Sequence, residues 1–159
     1  MATALSNLSD YNAEDVPNAN GLRIGLVVSQ WNKEITHALY KGAVEALSSH
    51  GVQDQNIITF NVPGSFELPF GASKMIDKHA PDAVIVIGSV IQGETKHFDF
   101  VCQATAQGVM DLNIQTQVPV IFCVLTDNTL QQAQDRSGGK HGNKGVEAAV
   151  AAIKMATLS

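Results

Sequence analysis

The chain is 159 residues long, with 15 acidic and 10 basic side chains and a formal net charge of −5. That length suits one domain with a hydrophobic core of its own, and a mildly acidic chain without any Lys/Arg run is a poor match for nucleic acid. Charged residues make up only 16% of it, a low density that fits a surface partly buried against other subunits.

Residues 1–20 are polar and lack the basic-then-apolar order of a signal peptide. They read as an extended arm, disordered or lying on a partner, ahead of a single domain at 21–159. A first strand is expected at 22–28, followed by a helix over 33–50 with Ile35, Leu39, Ala43, Ala46 and Leu47 on one stripe. Gly51 sits where a C-terminal cap belongs. A second strand at 57–62 closes on Pro63 and Gly64, and a helix follows over 66–79, with Pro69 tolerable only in its first turn. The apolar run 83–87 reads as a third strand buried on both faces. After a turn at 89–99, a helix over 98–113 places Phe98, Val101, Cys102, Thr105, Gly108, Val109 and Leu112 on one face. A fourth strand at 120–125 leads through the cap-forming run 126–129 into a short helix ending near Arg136. Ser137, Gly138 and Gly139 break it, and a last helix from 143 buries Val146, Ala149, Val150 and Ile153.

Cys102 and Cys123 lie in apolar, periodic surroundings and read as reduced core thiols of a cytoplasmic protein, not as a disulfide or metal ligands. No apolar run approaches the length of a membrane span. No His/Cys/Asp/Glu grouping has metal-site spacing, and neither a serine nucleophile elbow nor a Cys–His signature occurs.

Strands and helices alternate, which implies right-handed crossovers and a parallel sheet covered on both faces, an α/β three-layer αβα sandwich. The expected strand order is 2-1-3-4, as in flavodoxin-like folds. Ligands bind such sheets at the carboxyl ends of the strands, where the order reverses, here between the first and third strands. Trp31 follows one of these and His97 the other, so they should face each other across a crevice, with the 63–67 loop on the same rim.

Each candidate also has an ordinary structural reading. Gly93, Glu94 and Thr95 open a helix and offer N–H groups to an anion, or form a plain tight turn. His97 is a solvated helix-start residue or a proton carrier near neutral pH. Trp31, the only tryptophan, covers a sheet edge or stacks on a heteroaromatic ring. Glu67 caps the next helix or accepts from sugar-like hydroxyls. Arg136, Lys140 and Lys144 form a solvated face or clamp a phosphate. They follow the edge strand, so they would reach a neighbouring subunit's crevice more naturally than their own.

The motifs Trp31-Asn32, Lys41-Gly42-Ala43, the run from Val62 to Pro69, the run from Gly88 to Asp99, Pro119-Val120 and the stretch from Arg136 to Gly145 resemble the 6,7-dimethyl-8-ribityllumazine synthases of riboflavin biosynthesis. The resemblance runs from about Leu22 to Ile153. It implies condensation of 5-amino-6-ribitylaminouracil with 3,4-dihydroxy-2-butanone 4-phosphate, through imine formation, phosphate elimination, ring closure and dehydration, with no metal or organic cofactor. By position, His97 takes the proton-transfer role. Trp31, Asn32, Gly64, Ser65, Phe66, Glu67, Ser89, Val90 and Ile91 fall where the pyrimidine and ribityl chain are held, and Gly93, Glu94 and Thr95 on the phosphate-binding turn. Phe122, Arg136 and Lys144 align with residues supplied by the adjacent subunit, Arg136 facing the phosphate. Glu94 stands where the family has a small residue and Gln92 where a basic one is common, so Glu94 is expected to contribute only its backbone N–H.

The resemblance further implies a pentamer. The short connection 138–142 is similar to that of family members forming icosahedral capsids of sixty subunits, with residues 1–20 adding a strand to a neighbour's sheet and riboflavin synthase as a candidate partner. The alternatives are a flavodoxin-like module that binds flavin or lumazine without catalysis, and a structural shell whose enzymatic role is secondary.

Overall fold

The apolar run beginning at Ala83 forms an inner strand, β3 (Ala83–Ile91), and its residues Ala83 to Ser89 are buried. The protein is described by a computed structural model covering residues 7–158. Around β3 lie β1 (Ile24–Ser29), β2 (Ile57–Val62) and β4 (Val120–Asp127), all parallel, in the order β2-β1-β3-β4. The order expected from the alternation of elements is the one found.

Alternation along the strands separates two apolar layers. Ile24, Leu26, Val28, Ile85 and Ile87 pack on one side against Ile35, Leu39 and Leu47 of α1 (Lys33–Ser49) and Ala149 and Ile153 of α5 (Lys144–Ala156). Val27, Val84, Val86 and Val124 face the other way, against Leu68, Ala72 and Met75 of α2 (Leu68–His79) and Val109 of α3 (His97–Thr116). Side chains two apart on a strand share a face, so this spacing makes the sheet apolar on both sides and requires helices on both. A short helix, α4 (Leu130–Arg136), closes the end of β4, with the Thr129 side chain accepting from Gln132 N as its cap. Among the described residues no helix is long and apolar enough to cross a membrane.

Several expectations are corrected. The third strand continues four residues beyond Ile87, so Ser89, Val90 and Ile91 belong to β3; they stay in register with Leu125, Thr126 and Asp127 of β4. The chain between α4 and α5 is a small antiparallel hairpin, β5 (Ser137–Gly139) with β6 (Gly142–Asn143), turned by Gly138 and Gly142 at positive φ. The second helix begins at Leu68, after a 3-10 turn at Ser65–Glu67. Cys123 is buried, but Cys102 is only half-buried on α3 and is not a core thiol. Of the face assigned to the third helix only Thr105 and Val109 are fully buried.

Residues 7–20 lie against their own chain and contain no strand; the rest of the arm, 1–6, lies outside the described residues. Leu8 N donates to the His141 carbonyl at 2.7 Å, and Asn143 N donates to Ser9 Oγ at 2.9 Å. Val16 and Ala19 are buried in the layer shared with α1.

Candidate functional site

The loops after β1, β2 and β3 are joined by hydrogen bonds. Gln30 N and Trp31 N donate to the carbonyls of Val62 and Pro63 at 2.8 and 3.1 Å. Asn32 takes the left-handed conformation, φ 53, which asparagine tolerates better than most residues. Its Nδ2 donates to the Ser89 carbonyl at 3.0 Å. On the far side, Thr105 Oγ1 lies 3.1 Å from the Ser65 carbonyl, pinning α3 to the loop after β2.

These loops enclose a crevice of about 780 Å³, within the usual range for a small-molecule site. Trp31, Asn32, Gly64, Ser65, Phe66, Glu67, Ser89, Val90, Ile91, Gly93, Thr95 and His97 all line it. Trp31 stands on the rim with 71% of its surface exposed, a flat apolar face without a protein partner. At the floor, Ser65 Oγ and Ser89 Oγ are buried with no hydrogen-bond partner among the described residues, and a buried hydroxyl left unpaired is unfavourable unless something else satisfies it. Gly88 lets Ser65 and Leu68 pack close against β3, since a Cβ there would come within 2.7 Å of Ser65 Oγ and 2.9 Å of Leu68 Cδ1. Glu67 precedes α2 without making a side-chain cap bond, so the capping role considered from sequence is not used.

The turn after β3 is held by Gln92 N donating to the Asp127 carbonyl at 2.9 Å. Gly93, Thr95 and His97 line the crevice, whereas Glu94 is exposed and outside the lining. Lys96 begins α3 without a side-chain cap, and Thr95 Oγ1 accepts only weakly from His97 N at 3.4 Å. The start of this 20-residue helix therefore presents N–H donors and the positive end of its dipole to the crevice. Pro63 lines the crevice with the rest of the 63–67 loop, as expected; sequence reasoning missed Phe98, Phe100 and Val101 in the lining. Val101 was recoverable, lying one helical turn beyond His97.

Phe122, Arg136 and Lys144 come together elsewhere, in a second hollow of about 760 Å³ beyond β4. Three cation–carboxylate pairs line it: Arg136 Nε to Asp127 Oδ1 at 3.8 Å, Lys140 to Asp135 at 3.3 Å and Lys144 to Glu147 at 2.8 Å. Burial raises the Asp127 carboxyl above its ordinary range, against the opposing pull of Arg136. A hydrogen bond from Gln131, with help from Lys140, holds the Asp135 carboxyl low. The Cys123 thiol beneath is pushed up to about 12, chiefly by burial, and is no nucleophile. Burial, then the charge of Asp99, also raises the Cys102 thiol. Among the described residues no three His, Cys, Asp or Glu side chains converge as a metal site would require.

The doubly wound parallel sheet makes this a flavodoxin-like α/β protein, and the crevice lies at its switch point, where such folds bind ligands. The family model described as 6,7-dimethyl-8-ribityllumazine synthase matches residues 21–159. Similar proteins of that name include one from Flavobacterium johnsoniae, 64% identical over 158 residues that cover 99% of this chain and 83% of that protein. Another, from Christiangramia forsetii, is 59% identical over 159 residues, 99% of this chain and 95% of its own. A third, from Porphyromonas gingivalis, is 54% identical over 158 residues, 99% and 98% of the two chains. The chain belongs to the 6,7-dimethyl-8-ribityllumazine synthase family.

Proposed function

We propose that this chain condenses 5-amino-6-ribitylaminouracil with 3,4-dihydroxy-2-butanone 4-phosphate, giving 6,7-dimethyl-8-ribityllumazine, phosphate and water, in a site completed between two copies. Family membership supports the reaction and lends nothing to a binding module without catalysis. One observation carries the sharing of the site: among the described residues, the crevice that holds Trp31 and His97 has no Lys or Arg in its lining, whereas Arg136 and Lys144 line a separate hollow. A phosphate ester bound in the crevice would meet backbone N–H groups from Gly93 to Thr95 but no fixed positive charge. A neighbour's Arg136, with its Phe122 and Lys144, supplies what is missing.

In this reading the pyrimidine stacks on Trp31. Asn32 has committed its Nδ2 to Ser89, leaving its Oδ1 to accept from the ligand, and the hydroxyls of Ser65 and Ser89 reach the ribityl chain and ring with Glu67. Both substrates are already reactive, an amine and a carbonyl compound with a leaving phosphate, so holding them in register supplies much of the acceleration. His97 moves protons as the amine attacks the carbonyl and as phosphate and water depart.

The assembly that provides such a neighbour is a pentamer, with a capsid of sixty subunits as its larger form. Exposed Phe66, Phe70, Phe100, Met110 and Ile114 give the chain apolar surface suited to such contacts. Riboflavin synthase, which consumes the lumazine, is a candidate partner, and the cytoplasm is the expected compartment.

His97→Ala tests the chemistry. Lumazine formation, followed by its absorbance, should fall at least about a hundredfold, the scale of a lost acid/base group, while ligand affinity is kept. Unchanged turnover would remove His97 from the reaction, and an inactive wild-type chain would contradict the reading as a whole.

A further inference from the structure

Asp127 ends β4 at the edge of the second hollow and is 7% exposed. Its carbonyl accepts from Gln92 N at 2.9 Å, which fixes the strand end against the turn leading to Gly93. Oδ1 lies 3.8 Å from Arg136 Nε, and Oδ2 is buried with no partner among the described residues. Burying a carboxylate with one oxygen empty is unfavourable, so fold stability alone gives no reason for a charge here.

The partner explains it. Lys140 and Lys144 pair with carboxylates close by in sequence, Asp135 and Glu147. Arg136 pairs across elements, from the end of α4 to the end of β4, and its side chain makes no hydrogen bond among the described residues that would hold it otherwise. The contact is through Nε. It leaves the two terminal nitrogens as a fork that matches two oxygens of a phosphate.

We infer that Asp127 is the positioning residue for Arg136, holding the guanidinium by its Nε edge so that the terminal fork faces the phosphate of the substrate bound by the adjacent subunit. The inference rests on the reading of Arg136 as phosphate anchor. Asp127 touches neither substrate. It is anchored by the Gln92 bond to the turn that serves its own chain's crevice, so the orientation it imposes is part of the rigid sheet rather than of a mobile loop.

Steady-state kinetics with both substrates, on the assembled wild-type, Asp127→Asn, Asp127→Glu, Arg136→Ala and Asp127→Asn/Arg136→Ala proteins, test this. Asp127→Asn should raise KM for the phosphate-bearing substrate about tenfold, the scale of one interaction with a charged group. It should leave KM for the pyrimidine within about twofold and the melting temperature no lower, with Asp127→Glu recovering part of the loss. In the Arg136→Ala background, Asp127→Asn should add nothing. An unchanged or lowered phosphate-substrate KM in Asp127→Asn would overturn the inference, as would an equal rise for both substrates or a full additional loss without Arg136. If Arg136→Ala itself leaves the phosphate-substrate KM unchanged, the anchor reading fails and the inference falls with it.

Discussion

Asn32 joins the ends of the two inner strands: its Nδ2 donates to the Ser89 carbonyl at 3.0 Å, and its backbone sits at φ 53 to allow it. Loss of that bond should loosen the floor of the crevice as well as the fold. Asn32→Ala removes the bond and places alanine in a conformation it resists, which should lower stability by about 1–3 kcal/mol in denaturant titration. Asn32→Gly relieves the backbone but not the lost bond, so it should fall between wild type and Asn32→Ala. Equal stability of all three would show that the bond carries no weight.

Trp31 is the only tryptophan and stands 71% exposed on the rim. Pyrimidine binding should therefore change the intrinsic fluorescence of the whole protein. Trp31→Ala should weaken the pyrimidine substrate by about twofold to thirteenfold, the range of an aromatic stack of about 0.5–1.5 kcal/mol. A conservative Trp31→Phe should recover most of it. Undisturbed affinity in Trp31→Ala would place the ring elsewhere.

Much of this site was legible in the sequence because its logic is topological. Regular alternation of strands and helices forces parallel crossovers, and the reversal of order between β1 and β3 brings Trp31 and His97 to one crevice whatever the side chains do. The sequence places Ser89, Val90 and Ile91 at the crevice but in a turn, since the continuous apolar run ends at Ile87. Pairing with β4, invisible locally, extends the strand through Ile91. From sequence Asp127 reads only as part of a cap-forming run, since Asp beside Thr and Asn suits a helix start; in the structure Thr129 makes the cap. The carboxylate's partner lies nine positions on, across a strand-to-helix turn. The docking of Leu8 and Ser9 on the β5–β6 hairpin joins positions far apart in sequence, Leu8 to His141 and Ser9 to Asn143, and no local pattern announces it.

Asp127 should also leave a mark on the pH dependence of stability. Its folded-state carboxyl is raised, by burial first. Above the folded titration, the native state carries a buried charge that the unfolded chain solvates freely, so Asp127 subtracts stability. Below the ordinary carboxylate value of about 4, both states hold the proton and the subtraction vanishes. Asp127→Asn should therefore melt higher than wild type at neutral pH, with the difference narrowing as pH falls toward 4. A wild type that is the more stable at neutral pH would mean that Arg136 more than offsets the burial.

The proposed sharing of one site between two subunits is most directly tested by mixing subunits. His97→Ala and Arg136→Ala proteins, each weak alone, are unfolded together and reassembled at equal ratio. With the crevice of one subunit completed by Arg136 of the next, about a quarter of the sites in randomly mixed rings combine a native His97 with a native Arg136. Lumazine formation should recover to about a quarter of a wild-type control treated in the same way. Activity no higher than the average of the two parents would mean that each chain uses its own Arg136, and the shared site would be wrong.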